Sequence, residues 1–298
     1  MFKGEKNMFV HKINNIDRRL MWDIKVILEN GYKDENPRPK YSDGTPAHTL
    51  SVNHVVRQYD LQKEFPITTL RYTAWKSAVK ELLWIYQDQT NSLETLVNTY
   101  NVKYWNDWES KDEPTTIGQR YGATVSNYNQ MNKLLEGLIK DPFGRRHIID
   151  LYQFADFEAT DGLIPCAFCS IWNVRKENDK MYLDMLLVQR SGDMLTASGC
   201  GGINEVQYAV FQHLVARHCG YEVGMFTHIV ANEQIYDRHE DNAHIMLERI
   251  SVDCNPKLVL NPIKHNFYDF TIDDINIEGY DKAIIDAQNP QLKFDLGI

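Results

Sequence analysis

The chain predicts an α/β (α+β) fold in a single domain, and three observations carry that expectation. Apolar residues recur at helical spacing in the segments 16–28, 72–87, 128–140 and 204–217. Other segments, 49–61, 167–174 and 181–188, have the β-rich or alternating character of strands. No repeat, low-complexity tract or linker divides the 298 residues, a length able to bury one full core.

Taken in order, Asn14 or Asn15 caps a first helix that carries Ile16, Leu20, Ile24, Ile27 and Leu28 on one face, and Gly31 stops it. Residues 34–47 form a loop around Asn36-Pro37-Arg38-Pro39 and Asp43-Gly44-Thr45-Pro46, and Arg38 can reach a phosphate from there. Thr49 to Leu61 is a strand. An amphipathic helix from Tyr72 to Gln87 follows, with Glu81 just before Leu82-Leu83-Trp84. Periodicity alone makes Glu81 a solvated residue; turned inward, its pKa would rise. Tyr104, Trp105 and Trp108 form a cluster suited to a core or interface, and equally to the wall of a site for a flat ring.

Residues 109–116 are a loop, Tyr121-Gly122 follows a short polar run, and a helix over 128–140 buries Met131, Leu134, Leu135 and Leu138. The turn Asp141-Pro142-Phe143-Gly144 then delivers Arg145 and Arg146 to a strand at Ile148. Such a pair is either a charged edge or a forked donor set for phosphate.

Leu163 to Tyr208 concentrates the chemistry. Cys166 follows Pro165 where one strand begins, and Arg190-Ser191 stand where the next ends. A fixed cation lowers a thiol pKa and favours the reactive thiolate, so this pattern points to a nucleophilic cysteine acting on a phosphorylated ligand. Cys166 and Cys169 have the spacing of a metal or redox pair, but a strand would turn them to opposite faces and no second pair completes a zinc set. No metal is expected. The loop Ser198-Gly199-Cys200-Gly201-Gly202 lacks the lysine of a phosphate loop and the spacing of a dinucleotide fingerprint, and reads as a flexible connector. A helix from Asn204 to Arg217 ends at Gly220, Phe226 to Val230 is a strand, and a further helix ends near Arg249. Phe267 to Ile272 is expected as an aromatic strand.

A net charge of −9 argues against broad nucleic-acid binding, so an anionic ligand must be held by a few local arginines. The apolar runs fall well short of the ~20 residues of a membrane helix. With no leader pattern and five scattered cysteines, a cytoplasmic protein with reduced thiols is expected.

From about Arg38 onward the chain resembles the thymidylate synthases. The residues that carry the resemblance are Glu81-Leu82-Leu83-Trp84, Trp105-Asn106-Asp107-Trp108, Arg145-Arg146, Pro165-Cys166, Gln189-Arg190-Ser191 with Asp193, Asn204, and Tyr236 with His239. Seven such matches in order over most of the chain are far more specific than any one of them. The resemblance implies one catalytic domain over 1–298, with an N-terminal helix region at 1–35, a large mixed sheet packed by helices, a mobile tail at 290–298, and a homodimer formed through the sheets. It implies conversion of dUMP and 5,10-methylenetetrahydrofolate, a cosubstrate, to dTMP and dihydrofolate.

The same resemblance assigns roles. Cys166 would add to uracil C6, Glu81 would relay protons, and Tyr121 would help remove the C5 proton. Arg190, Ser191, and Arg145 and Arg146 of the partner subunit would hold the phosphate. Asn204 would read the uracil edge, because a carboxamide can donate to O4 and accept from N3–H. Tyr236 would hold the ribose hydroxyl with Gln234 beside it. Asp193 would join the substrate-binding set and bond the pterin, while Trp105, Leu163 and the terminal Ile298 would enclose the folate. The chain departs from the family pattern at Ala167 and Gln234, where histidine is usual, and in a loop before Asn204 about three residues longer. Gly44 falls where a first-loop phosphate arginine is usual, which leaves Arg38 as the substitute. Two other readings stand beside this one: a pyrimidine-nucleotide hydroxymethylase with the same nucleophile, and a nucleotide- or RNA-binding protein without turnover.

Overall fold

The structure, a computed structural model, describes residues 14–297. Helix α1 (Asn15–Asn30) starts where the Asn14 side chain accepts the amide of Asp17 at 2.7 Å, and buries Ile16, Leu20, Ile24 and Ile27 along its apolar stripe. Past the two-residue strand β1 (Tyr32–Lys33) and the expected loop comes β2 (Thr49–Asp60). Helices α2 (Trp75–Tyr86), α3 (Leu93–Tyr100), α4 (Gly122–Asn127) and α5 (Gln130–Lys140) lead to strand β3 (His147–Asp150) and helix α6 (Phe154–Ala159). The hairpin β4 (Ala167–Glu177) and β5 (Lys180–Gln189) is followed by β6 (Gly192–Asp193), α7 (Ile203–Cys219), β7 (Glu222–Tyr236) and α8 (Glu240–Glu248). A small hairpin of β8 (Lys257–Leu260) and β9 (Ile275–Glu278) precedes α9 (Lys282–Gln288).

The main sheet runs β1-β2-β7-β5-β4-β3, with β6 also paired to β7. It is mixed: β5 and β6 lie parallel to β7 and the other pairs are antiparallel. Helix α7 packs on both the sheet and α2, which explains why apolar side chains such as Val206, Val210, Phe211, Leu214 and Val215 are buried around it. On the other face of the sheet, register aligns Val56 with Ile229 and Ile229 with Val188, and Ile148 with Ile171 and Ile171 with Leu186. Val56 and Ile148 are exposed and the other four are half-buried, so this face is apolar without being covered.

Among the buried core side chains stands a charged cluster. Arg57 on β2 donates to Asp23 at 2.8 Å, to the Ser198 carbonyl at 3.0 Å and to Glu233, and Glu205 lies 3.5 Å from it. Arg57, Glu205 and Glu233 are buried almost completely. A guanidinium with several donors can satisfy three carboxylates together, which makes this burial tolerable.

Three sequence expectations need correction. Residues 267–272 are not a strand: Asn266 accepts the Tyr268 amide, and a capping box between Thr271 and Asp274 folds the segment into 3-10 turns at Phe267–Asp269 and Ile272–Asp274. The strand expected at 226–230 runs on to Tyr236, because Asn232, Glu233 and Gln234 pair with β2 despite their polarity. The 198–202 loop is no loose connector either. Its Gly201 has φ +69° and lies where a Cβ would run into the amide of Thr68, and its amide donates to Glu205 at 2.7 Å.

Candidate active site

Antiparallel pairing of β4 with β5 puts the start of one beside the end of the other, with Ala167 opposite Gln189. Cys166 and Arg190 are therefore neighbours. The Arg190 amide donates to the Cys166 carbonyl at 2.8 Å, and its guanidinium donates to Pro165 at 3.0 Å and to Ile164 at 2.7 Å. The segment carrying the thiol is thus clamped from three directions. Burial pushes the thiol above its ordinary pKa, and the charges of Arg190 and Arg38 offset this only in part. The expected lowering of the pKa does not hold: the cations are present, but desolvation wins.

Glu81 on α2 faces inward rather than toward solvent. It accepts from Gln207 Nε2 on α7 at 3.2 Å and from the Tyr104 hydroxyl. Burial raises its pKa, and the hydrogen bonds from Tyr104 and its neighbours pull the other way. Trp105 packs edge-on to Tyr121, with centroids 5.0 Å apart, and to Trp108 at 5.6 Å. The Trp105 Nε1 is buried without a hydrogen bond of good geometry among the described residues, although it lies close enough to Glu81 to oppose the rise of its pKa. Tyr121 has φ +48° and ψ −108°, a conformation a bulky residue adopts only when its surroundings enforce it. Burial raises its hydroxyl pKa strongly, with the charges of Cys166 and Glu81 adding to the shift, so Tyr121 stands within electrostatic reach of both.

Asn204 opens α7, and its Oδ1 accepts from Gln189 at 3.2 Å. Gln234 lies beside Asp193 in the β6–β7 register. Asp193 turns partly inward, accepting from the amides of Leu195 and Thr196 and from the Thr196 hydroxyl at 2.5 Å, so it caps a turn of π-helix at Met194–Ser198. Burial, then the charges of Asp193 and Cys166, push Tyr236 up to about 12, and Arg38 opposes them. Arg38 is exposed on its loop, yet its charge acts on both Cys166 and Tyr236. Leu163 is half-buried against the core and Ser191 half-buried after β5.

Arg145 and Arg146 do not join this group. They stand exposed on the turn before the edge strand β3, with no hydrogen bond or ion pair to another described residue. The tail, by contrast, crosses toward the site: His239 Nε2 meets the Asp295 carbonyl at 2.7 Å, Arg238 pairs with Asp295 at 3.2 Å and with Asp43 at 2.6 Å, and Phe294 stands edge-on to His239. Ile298 lies outside the described residues, as do residues 1–13. Sequence reasoning missed Tyr104 and Gln207 as partners of Glu81. Gln207 could have been found as the residue one helical turn beyond Asn204, on the same face.

A family profile described as thymidylate synthase matches residues 21–290. A thymidylate synthase of Streptococcus sanguinis is 49% identical over 278 residues, covering 93% of this chain and 96% of that protein. One from Lactococcus lactis subsp. cremoris is 48% identical over 285 residues, covering 95% and 99%. The chain belongs to the thymidylate synthase family. Among solved structures, the thermostable thymidylate synthase A from Bacillus subtilis is similar, with a TM-score of 0.84 and 36% identity, covering 95% of this chain and 99% of that one. The enzyme methylates dUMP to dTMP with 5,10-methylenetetrahydrofolate as cosubstrate, and this reading is favoured over the hydroxymethylase. Among the described residues no helix is long and apolar enough to cross a membrane, and no group of His, Cys, Asp or Glu could hold a metal ion.

Proposed function

We propose that Cys166 is the nucleophile of this methyl transfer and that Glu81, Tyr121, Arg190 and Asn204 complete the catalytic set. The observation that carries this is the clamping of Ile164, Pro165 and Cys166 by Arg190, with Tyr121 within electrostatic reach of both Cys166 and Glu81. C5 of uracil is a poor nucleophile. Bond formation between the Cys166 sulfur and C6 pushes electron density to O4 and makes C5 carbanion-like. The folate supplies the one-carbon unit and the hydride. Glu81, with its raised pKa, carries protons through water to and from the uracil O4, and Tyr121 assists removal of the C5 proton. Loss of the sulfur from C6 then frees dTMP.

Arg190, Ser191 and Arg38 hold the phosphate, and Tyr236 and Gln234 the ribose. Trp105, Leu163 and Asp193 face the folate, and the 290–298 tail closes over it to exclude water. The chain acts as one domain and as a homodimer. The uncovered apolar sheet face supports this, because a second copy is the surface that would cover it. Arg145 and Arg146 then complete the phosphate site of the other subunit, consistent with their exposure and lack of partners here.

Incubation with 5-fluoro-dUMP and the methylene folate tests the assignment. A covalent ternary adduct on the peptide carrying Cys166 is expected. An adduct on another residue, or none, overturns it.

A further inference from the structure

From Asn204 a line of buried polar side chains runs into the core. Gln189 Nε2 donates to the Ser191 carbonyl at 3.0 Å as well as to Asn204 Oδ1 at 3.2 Å. Gln189 Oε1 meets His228 Nε2 at 3.1 Å, and His228 Nδ1 meets Glu205 Oε1 at 3.0 Å. Gln189, His228 and Glu205 are all buried. The fold explains the alignment. Gln189 and His228 point inward from the adjacent parallel strands β5 and β7, and Glu205 follows Asn204 on the helix packed against them.

One atom in this line cannot change its role. The Ser191 carbonyl only accepts, so the half of the Gln189 amide facing it must be the NH2 group. Gln189 Oε1 therefore faces His228, and His228 Nε2 must carry a hydrogen. The same NH2 group faces Asn204, so the Asn204 atom there must be its oxygen, since the reversed amide would set donor against donor. The Asn204 NH2 is left free to donate. A pyrimidine with a carbonyl at C4 accepts from it, and one with an amino group at C4 presents a second donor.

Glu205 holds the far end. The Tyr59 hydroxyl and the Gly201 amide each donate to Glu205 Oε2 at 2.7 Å, and Arg57 flanks Oε1. Burial alone would raise its pKa, but the His228 contact and the Arg57 charge bring it below the ordinary value. With Nε2–H committed to Gln189, a second hydrogen must lie between Nδ1 and Glu205, so the ring cannot turn over without losing both contacts.

We infer that His228, held by Glu205, is a positioning residue for substrate choice: it locks the amide of Gln189, and through it that of Asn204, in the sense that selects a 4-oxo over a 4-amino pyrimidine nucleotide. This rests on the reading that Asn204 faces the pyrimidine. With the histidine donor gone, only the Ser191 carbonyl still holds the Gln189 amide in this sense; reversal gives up that one bond, supplies the buried Gln189 carbonyl with the Asn204 NH2, and reverses the amide presented to the base.

The test compares two polar replacements. His228→Gln keeps an N–H at the Nε2 position, whereas His228→Asn reaches only as far as Nδ1. Dissociation constants for dUMP and dCMP are measured by titration calorimetry, with thermal melting to compare folding. The dCMP-to-dUMP ratio of these constants should fall about tenfold or more in His228→Asn and stay within about threefold of the parent in His228→Gln. Equal ratios in the two variants, whether both kept or both lost, overturn the inference. Asn204→Asp separates it from the reading beneath it. If the ratio is unmoved there, Asn204 does not face the base; if it moves while the His228 variants behave alike, only the role of His228 fails.

Discussion

Arg190 Nη2 donates to the Ile164 carbonyl at 2.7 Å, two residues before the cysteine, so the guanidinium holds the backbone of the Cys166 loop as well as standing near the thiol. Arg190→Ala should cost about 2 kcal/mol of transition-state stabilisation, about thirtyfold in kcat/KM, measured by steady-state turnover.

The same arginine bears on thiol reactivity. The thiolate fraction rises with pH, and burial places the Cys166 midpoint above the ordinary thiol value of 9.0. Alkylation of Cys166 by iodoacetamide, followed by peptide mass, should therefore accelerate to higher pH than a free cysteine. Removing Arg190 takes away a charge that opposes the shift, so the midpoint should move further up.

Glu81→Gln keeps the shape and the bond from Gln207 but cannot exchange protons. It should lower kcat by about a hundred- to ten-thousandfold while dUMP binding persists, a split that rapid-quench kinetics and calorimetry resolve.

Burial raises Glu233 to about 7, with Arg57 opposing. Its folded pKa thus exceeds its unfolded one, so between about pH 4.5 and 7 the folded state binds more protons and stability falls as pH rises, by about 3 kcal/mol at most. Glu233→Gln should flatten that part of the profile when urea unfolding is compared at pH 5 and pH 8.

If Arg146 serves the neighbouring subunit, mixing inactive Arg146→Ala chains with inactive Cys166→Ala chains should restore activity. A mixed dimer contains one intact site, so an equal mixture should reach about a quarter of the parent activity after subunit exchange. A mixture that stays inactive despite demonstrated exchange removes the shared-site proposal.

Where local pattern and tertiary role agreed, the sequence was readable. The stripe of Ile16, Leu20, Ile24 and Ile27 and the Asn14 cap give α1 almost to the residue. The segment 267–272 misled because aromatic content suggests a strand, whereas the side chains of Asn266, Thr271 and Asp274 bond the local backbone and compete with pairing. The Cys166–Arg190 pairing followed from a hairpin, but the sign of the thiol shift depended on burial that no motif encodes. Arg57 was invisible for a similar reason. A charged residue in an alternating strand reads as solvent-facing, and its partners Asp23, Glu205 and Glu233 lie 34, 148 and 176 positions away.

That cluster also shapes how this sequence can change over generations. Replacing Arg57 alone leaves three buried carboxyl groups without their shared partner, and replacing one of them alone shifts the charge balance around the rest, so each single step is penalised even if an all-apolar endpoint packs equally well. Positions 23, 57, 205 and 233 are therefore epistatic: a descendant leaves this arrangement by paired substitutions, or crosses a valley of poorly folded intermediates.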